Sequence, residues 1–219
     1  MSISDYITTD FPAISEEETI QDLIFAIEGT NYTHYPVTRA GIYHGAIPIN
    51  DILLEKSTSK KIKEFEHLIV PFFAEENTKV VDLLKMYSTY DTNVIPVVNS
   101  QREFIGSFEV LEIIHLLNEL PYFQEEGDIL VVEKNIKDFS FSEISQIVES
   151  NNGKILGMLV SKIKSEKIQV SIRLVSHDIN EIIQTFRRYD YFLISKHDDD
   201  LLLESLRDRS NYLKKYLNI

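Results

Sequence analysis

Cysteine is absent from this 219-residue chain, which removes disulfides, thiolate metal sites and cysteine nucleophiles from consideration together. Positive charge is scarce as well: 22 Lys and Arg stand against 35 Asp and Glu, a formal net charge of -13. Binders of nucleic acid or anionic membranes usually carry a basic stripe that releases counterions, so neither partner class is expected. A small anionic ligand is not excluded, because a pocket answers to its local donors and not to the sum. No apolar run reaches the length of a membrane span, and residues 1–5 show no basic region leading into one, so the expected location is cytoplasmic. A Gly-rich phosphate loop, Gly-x-Ser-x-Gly and HExxH are also missing, and the chain is read as having no catalytic site. The histidines (His34, His44, His67, His115, His177 and His197) lack metal-ligand spacing, so no metal site is expected; the pairs His177-Asp178 and His197-Asp198 fall where helices begin.

What the chain does have is a repeat. Hydrophobic content of 43% is ordinary for a globular protein, and the first half states one pattern twice. Each copy runs through a short lead, a capped helix, a Pro-Val strand, a second strand containing Gly, and an acidic residue opening a further helix. Thr78 follows Thr19 by 59 residues, Pro96 follows Pro36 by 60 and Gly106 follows Gly45 by 61, while Glu112 answers Asp51. Thr19 and Thr78 are expected helix caps, with the acidic run Glu16-Glu17-Glu18 favouring the first helix dipole. Ile20, Leu23, Ile24 and Ile27 form one helical stripe, and Val80, Leu83, Leu84 and Tyr87 the other. Residues 57–61 read as a polar linker between the copies.

A different pattern follows Pro121. A strand near residues 129–133 precedes a helix capped by Ser140 with Glu143, whose buried face is Phe141, Ile144 and Val148. Residues 155–163 and 168–175 form a hairpin, Asp178 with Glu181 opens another helix, and residues 191–194 make a last strand. The order β-α-β-β-α-β is the split βαβ, ferredoxin-like arrangement. A terminal helix is expected over residues 197–219. The domains are thus repeat 1 at 1–60, repeat 2 at 61–121, the ferredoxin-like domain at 128–196 and the helix at 197–219, in a mixed α/β (α+β) fold.

The segments from Gly45 to Asp51 and from Gly106 to Glu112 resemble those of a tandem CBS-domain pair, the Bateman module, over about residues 1–120. The C-terminal part looks like an ACT domain by topology, and the combination is similar to the acetoin-utilisation regulator type. The loop of residues 134–139 has no Gly where amino-acid-binding ACT domains usually have one. The resemblance implies a regulatory or sensor protein whose inter-repeat cleft takes an adenosine compound: AMP, ADP, ATP or S-adenosylmethionine. It also implies a homodimer, through the CBS pair or the ACT-like domain, with an unidentified target enzyme. In that family a Thr or Ser and an Asp grip the ribose hydroxyls, a carboxylate being acceptor-only. Carried over, the candidates are Asp51 and Glu112 for the carboxylates, with Pro48 and Glu109 in the hydroxyl slots. Asp51 reads equally as a carboxylate at a helix start, and Glu112 as a solvated helix residue. His34 is either a phosphate contact or a half-buried strand histidine, and Tyr35 and Ile95 are pocket wall or core. Because neither copy keeps the hydroxyl, the alternative is a ligand-free oligomerisation scaffold. The apolar residues Ile113, Ile114, Leu116 and Leu117 are expected to exceed one repeat's core and to serve a dimer face.

Overall fold

The computed structural model describes residues 3–55 and 57–194, which divide into two compact units, one ending at Leu117 and the other starting at Asn118. The helix expected at 197–219 lies outside the described residues.

In unit 1, β1 (Ile7–Thr8) and β2 (Ile14–Ser15) lead into α1 (Ile20–Ala26). A reciprocal capping box starts this helix: Thr19 Oγ1 accepts from the Asp22 amide at 3.3 Å, and the Asp22 carboxylate accepts from the Thr19 amide at 2.8 Å. The acidic run before it is spent on ion pairs, Glu16 with Arg39 at 2.7 Å and Glu17 with Lys61 at 2.8 Å. The hairpin β3 (His34–Arg39) and β4 (Ile42–Pro48) turns through Ala40 and Gly41, both at positive φ. The helix expected from residue 50 is a single turn, α2 (Ile49–Ile52), opened by Pro48. Residues 57–61 are no free spacer. Lys60 and Thr58 carbonyls accept from the Ile20 and Gln21 amides, satisfying donors that a helix start leaves without partners. Ile62 and Phe65 of the following 3-10 turn (Ile62–Leu68) then pack into the first core beside Ile20, Leu23 and Ile52.

The second copy contributes β5 (Ala74–Glu75), α3 (Val80–Tyr90), β6 (Val94–Val98), β7 (Phe104–Glu109) and α4 (Val110–Asn118). Thr78 does not cap α3. Its hydroxyl accepts from the Glu75 amide at 2.9 Å, closing the preceding turn, and Lys79 occupies the cap position without a side-chain bond. Leu83 and Tyr87 are buried, whereas Leu84 is exposed. Of the apolar residues assigned to a dimer face on α4, Ile113 and Leu116 are buried and Leu117 packs against the core. They fall at i, i+3 and i+4 on the inner face. Ile114, at 51% exposure, is outside, with Leu111 at 62% beside it.

The copies exchange their leads. β1 belongs by chain order to the first copy yet pairs with β7, in a sheet ordered β1-β7-β6-β5. The lead of the second copy reaches back: Val70 and Ala46 exchange two backbone hydrogen bonds of 2.9 Å, beside the sheet β2-β3-β4. Each crossing runs over the glycine of the other copy. A Cβ on Gly45 would stand 2.9 Å from the Val70 carbonyl oxygen, and one on Gly106 would stand 2.6 Å from that of Thr8. The repeated glycine is therefore the space through which the partner copy's chain passes.

Unit 2 comprises α5 (Pro121–Gln124), β8 (Asp128–Asn135), α6 (Phe141–Ser150), β9 (Lys154–Lys164), β10 (Lys167–Val175), α7 (Ile179–Arg188) and β11 (Phe192–Leu193). Strand order is β11-β8-β10-β9 with every neighbour antiparallel, the split βαβ arrangement. Alternate residues of β10 (Ile168, Val170, Ile172 and Leu174) face one core with Ile144, Ile147 and Val148 of α6 and Ile182, Ile183 and Phe186 of α7. Phe141, expected inside, is exposed, and Ile147 takes its place. Ser140 accepts from the Glu143 amide, but the Glu143 carboxylate takes Lys134 Nζ at 2.7 Å instead of closing a box. The chain is a mixed α/β protein.

Gly41 is open on all sides but sits at φ +83°, whereas Gly106 combines φ +149° with the backbone crossing. Gly41→Ala is expected to cost about 1 kcal/mol. Gly106→Ala, where backbone must move, is expected to cost about 3 kcal/mol. Urea denaturation of both variants checks the ranking, and equal losses would remove the steric account of the crossing.

Candidate functional site

Thr33 and Asn93, each one residue before its Pro-Val strand, meet face to face in unit 1. The Thr33 amide donates to Asn93 Oδ1 at 2.9 Å, and the Asn93 amide donates to Thr33 Oγ1 at 3.1 Å. Their carbonyls are used alike: the Ile49 amide donates to the Thr33 carbonyl and the Val110 amide to that of Asn93, both at 2.9 Å. Both helices that carry the candidate carboxylates therefore hang from one seam, related by an approximate two-fold. Asn93 Nδ2 adds a bond to the Asn31 carbonyl at 2.7 Å.

A cleft of about 220 Å³ flanks the seam, lined by residues that include Phe11, Asn31, Tyr32, Asn93, Glu109 and Leu111. The Tyr32 hydroxyl donates to Glu109 Oε1 at 2.7 Å, and the Phe11 ring meets Tyr32 edge-on at 5.3 Å. Burial, then the bond to Glu109, pushes the Tyr32 phenol above its ordinary pKa. Among the described residues lining this cleft there is no Lys or Arg.

At the related place on the other side, Pro48 stands for Glu109 and Thr92 for Tyr32, and Phe72 comes from the lead before β5. Phe72, buried to 2%, stacks on Tyr90 at 4.4 Å and meets His34 edge-on at 5.5 Å. Thr92 turns its hydroxyl inward to the Val94 carbonyl at 2.8 Å. His34 is buried with Nδ1 3.0 Å from Thr33 Oγ1. Burial holds its pKa below the usual histidine value, against the opposing pull of Asp51 and Asp91.

The expected site residues thus separate. Glu109 is the half-buried end of β7 and faces Tyr32; Glu112 is exposed in the first turn of α4. Asp51 is exposed on α2, and Pro48 caps that helix without a side-chain bond. Tyr35 is 1% exposed in the first core, its hydroxyl donating to the Pro12 carbonyl at 3.0 Å, and Ile95 is 0% exposed in the second. Sequence reasoning passed over Phe11, Tyr32, Thr33 and Asn93. A signal existed for the last two, because a polar residue directly precedes the strand in both copies at the 60-residue spacing of Pro36 and Pro96. No group of three or more His, Asp or Glu among the described residues could hold a metal ion.

A family model for the CBS domain matches residues 3–57. No curated protein matches the chain. Among solved structures, a CBS domain pair/ACT domain protein from Thermotoga maritima aligns at 20% identity over 54% of this chain and 98% of its own, with a TM-score of 0.49. The CBS domains of a transcriptional regulator from Streptococcus pneumoniae align at 16% identity over 52% and 98%, with a TM-score of 0.46. The CBS domain of a bacterial CNNM/CorC family Mg2+ transporter, in complex with ATP, aligns at 21% identity over 52% and 85%, with a TM-score of 0.43. Across the described residues no helix is long and apolar enough to cross a membrane.

Two consequences are measurable. Asn93→Ala leaves the Thr33 amide without its acceptor and is expected to cost about 2 kcal/mol, since an abandoned buried donor loses more than the bond's net worth. Thr33→Ser, which keeps the hydroxyl, is expected to cost under about 1 kcal/mol. Equal losses would mean that the seam carries no special weight. For His34 the folded pKa lies below the reference value of 6.5, so the unfolded chain binds the extra proton between the two. The stability gained by keeping the ring neutral is complete above the reference value and declines as the pH falls through it. Denaturation between about pH 8 and about pH 5 is expected to show that decline, and His34→Gln to flatten it; an unchanged slope would assign the decline to other groups.

Proposed function

We propose that unit 1 is a non-catalytic regulatory module that binds an adenosine compound in the cleft at Tyr32 and Glu109. The carrying observation is that cleft's chemistry: an aromatic wall, Phe11 and Tyr32, stands beside an acceptor-only carboxylate. A purine can lie on the first and ribose hydroxyls can donate to the second. The CBS-domain match over residues 3–57 supports the same reading. Without a cationic side chain among the described residues of the lining, a polyphosphate has no direct counter-charge there, and the acidic chain opposes it. Of AMP, ADP, ATP and S-adenosylmethionine, the sulfonium compound therefore fits best, and ATP is a candidate as its Mg2+ complex. In this reading the repeats are residues 1–60 and 61–121, with residues 62–65 serving the first core. Residues 128–196 are an ACT-like domain of the kind paired with CBS domains in acetoin-utilisation regulators. The protein acts in the cytoplasm as a homodimer on a separate target, with Phe25, Leu54, Val81, Leu111 and Ile114 among the exposed apolar residues of unit 1 available for pairing.

A second reading has its own observation. Across the seam Phe72 is buried and stacked on Tyr90, and Pro48 offers no hydroxyl; a module with both sites degenerate would serve only as an oligomerisation scaffold. Thermal melts with each of the four compounds, with and without Mg2+, separate the two. Binding is expected to stabilise the fold by about 2.7 kcal/mol at a hundredfold excess over Kd, a rise of a few degrees. Indifference to all four at millimolar concentration, with a melt that depends on protein concentration, establishes the scaffold.

A further inference from the structure

We propose that Tyr32 is a gate on this cleft: its phenol hydroxyl occupies Glu109 as a stand-in for a ligand hydroxyl, and only a ligand bringing hydroxyl donors of its own displaces it. The inference rests on the nucleoside-binding reading above and adds to it a regulatory residue and a selectivity for vicinal diols.

The bond from Tyr32 to Glu109 Oε1 joins residues 77 apart and bridges the two copies. The other copy supplies an internal control. There Thr92 stands in place of Tyr32 and Pro48 in place of Glu109, Thr92 bonds inward to Val94, and the same seam closes without any such contact. The fold therefore does not require the Tyr32–Glu109 pair. Space argues the same way, because about 220 Å³ is below the roughly 300–1,000 Å³ of small-molecule sites, so a ligand must displace a lining group, and the Tyr32 hydroxyl can leave Glu109 while its ring stays a wall. The backbone need not move: Thr33, the next residue, is fixed by the seam, so the gate opens by side-chain torsions alone. Chemistry then sets the competitor. A phenol gives the carboxylate one O–H, whereas a vicinal diol can give one to each carboxylate oxygen. A ribonucleoside therefore outbids the phenol where a 2′-deoxyribonucleoside, offering one hydroxyl fewer, does not.

Calorimetric titration of the full chain with adenosine, 2′-deoxyadenosine and S-adenosylmethionine tests this on the wild type, Tyr32→Phe and Glu109→Gln. Removing the competing phenol is expected to tighten adenosine binding about tenfold, and Glu109→Gln to weaken it by at least about tenfold. Wild-type protein is expected to prefer adenosine over 2′-deoxyadenosine. The Tyr32 ring resonance, identified by its loss in Tyr32→Phe, should shift on saturation, a readout that needs no variant to bind. An unchanged or weakened affinity in folded Tyr32→Phe, or a Tyr32 resonance that ignores bound ligand, overturns the gate while leaving nucleoside binding intact. Failure of every protein to bind any of the three overturns the nucleoside reading itself, and the gate with it.

Discussion

The reciprocal bonds of Thr33 and Asn93 are the constraint on which unit 1 depends. Each backbone amide finds its acceptor in the other copy's side chain, so neither copy can slide by a residue without stranding polar groups away from water. Because the adjoining carbonyls also receive Ile49 and Val110, the same seam fixes where α2 and α4 begin. The exchanged leads add to it: β1 and Val70 pass over Gly106 and Gly45, where a Cβ would meet backbone. The seam and the crossings are thus common to the two copies, while helix length and side chains distinguish them.

That difference has a definite chemical direction. On one side the aromatic Phe72 lies over Tyr90 and against His34, and a proline replaces the carboxylate. On the other, a carboxylate stays accessible to a cleft with aromatic walls. Burying Phe72 removes apolar surface from water and closes space that a ligand would need. The two sides of the seam therefore differ in side-chain chemistry: aromatic packing and a proline on one, a carboxylate beside a cleft on the other.

How legible this was depended on sequence distance. The repeat, its glycines and the βαββαβ order of unit 2 were readable because each is a local pattern restated at a fixed spacing. Thr78 misled because a Thr before a helix can equally close the preceding turn, and the choice is settled by the Glu75 amide rather than by the helix. Ile113 and Leu116 looked surplus because an almost wholly apolar stretch does not announce its inner face, and only the core around Phe108 selects it. The pairing of Tyr32 with Glu109 left no local mark at all. Its two members lie in different copies and belong to no shared motif, and they meet only because the seam brings the end of β7 beside the loop before β3.

The same geometry explains how an event in the cleft can reach the rest of unit 1. Glu109 is bonded covalently to Val110, whose amide is held by the Asn93 carbonyl, and the Asn93 side chain holds both the Thr33 amide and the Asn31 carbonyl. A shift of the Glu109 carboxylate toward a ligand therefore acts on a residue adjoining the helix start of one copy and the strand entry of the other. Close-packed interiors transmit such displacements instead of absorbing them, and the seam offers no slack, since its amides and carbonyls are already paired. His34, bonded to the Thr33 hydroxyl on the far side, lies at the end of that path. Four consecutive contacts join Glu109 to His34: Glu109 to Val110, Val110 to Asn93, Asn93 to Thr33, and Thr33 to His34. If a ligand bound at one end shifted these bonds, the resulting coupling to the other end would be reciprocal by linkage.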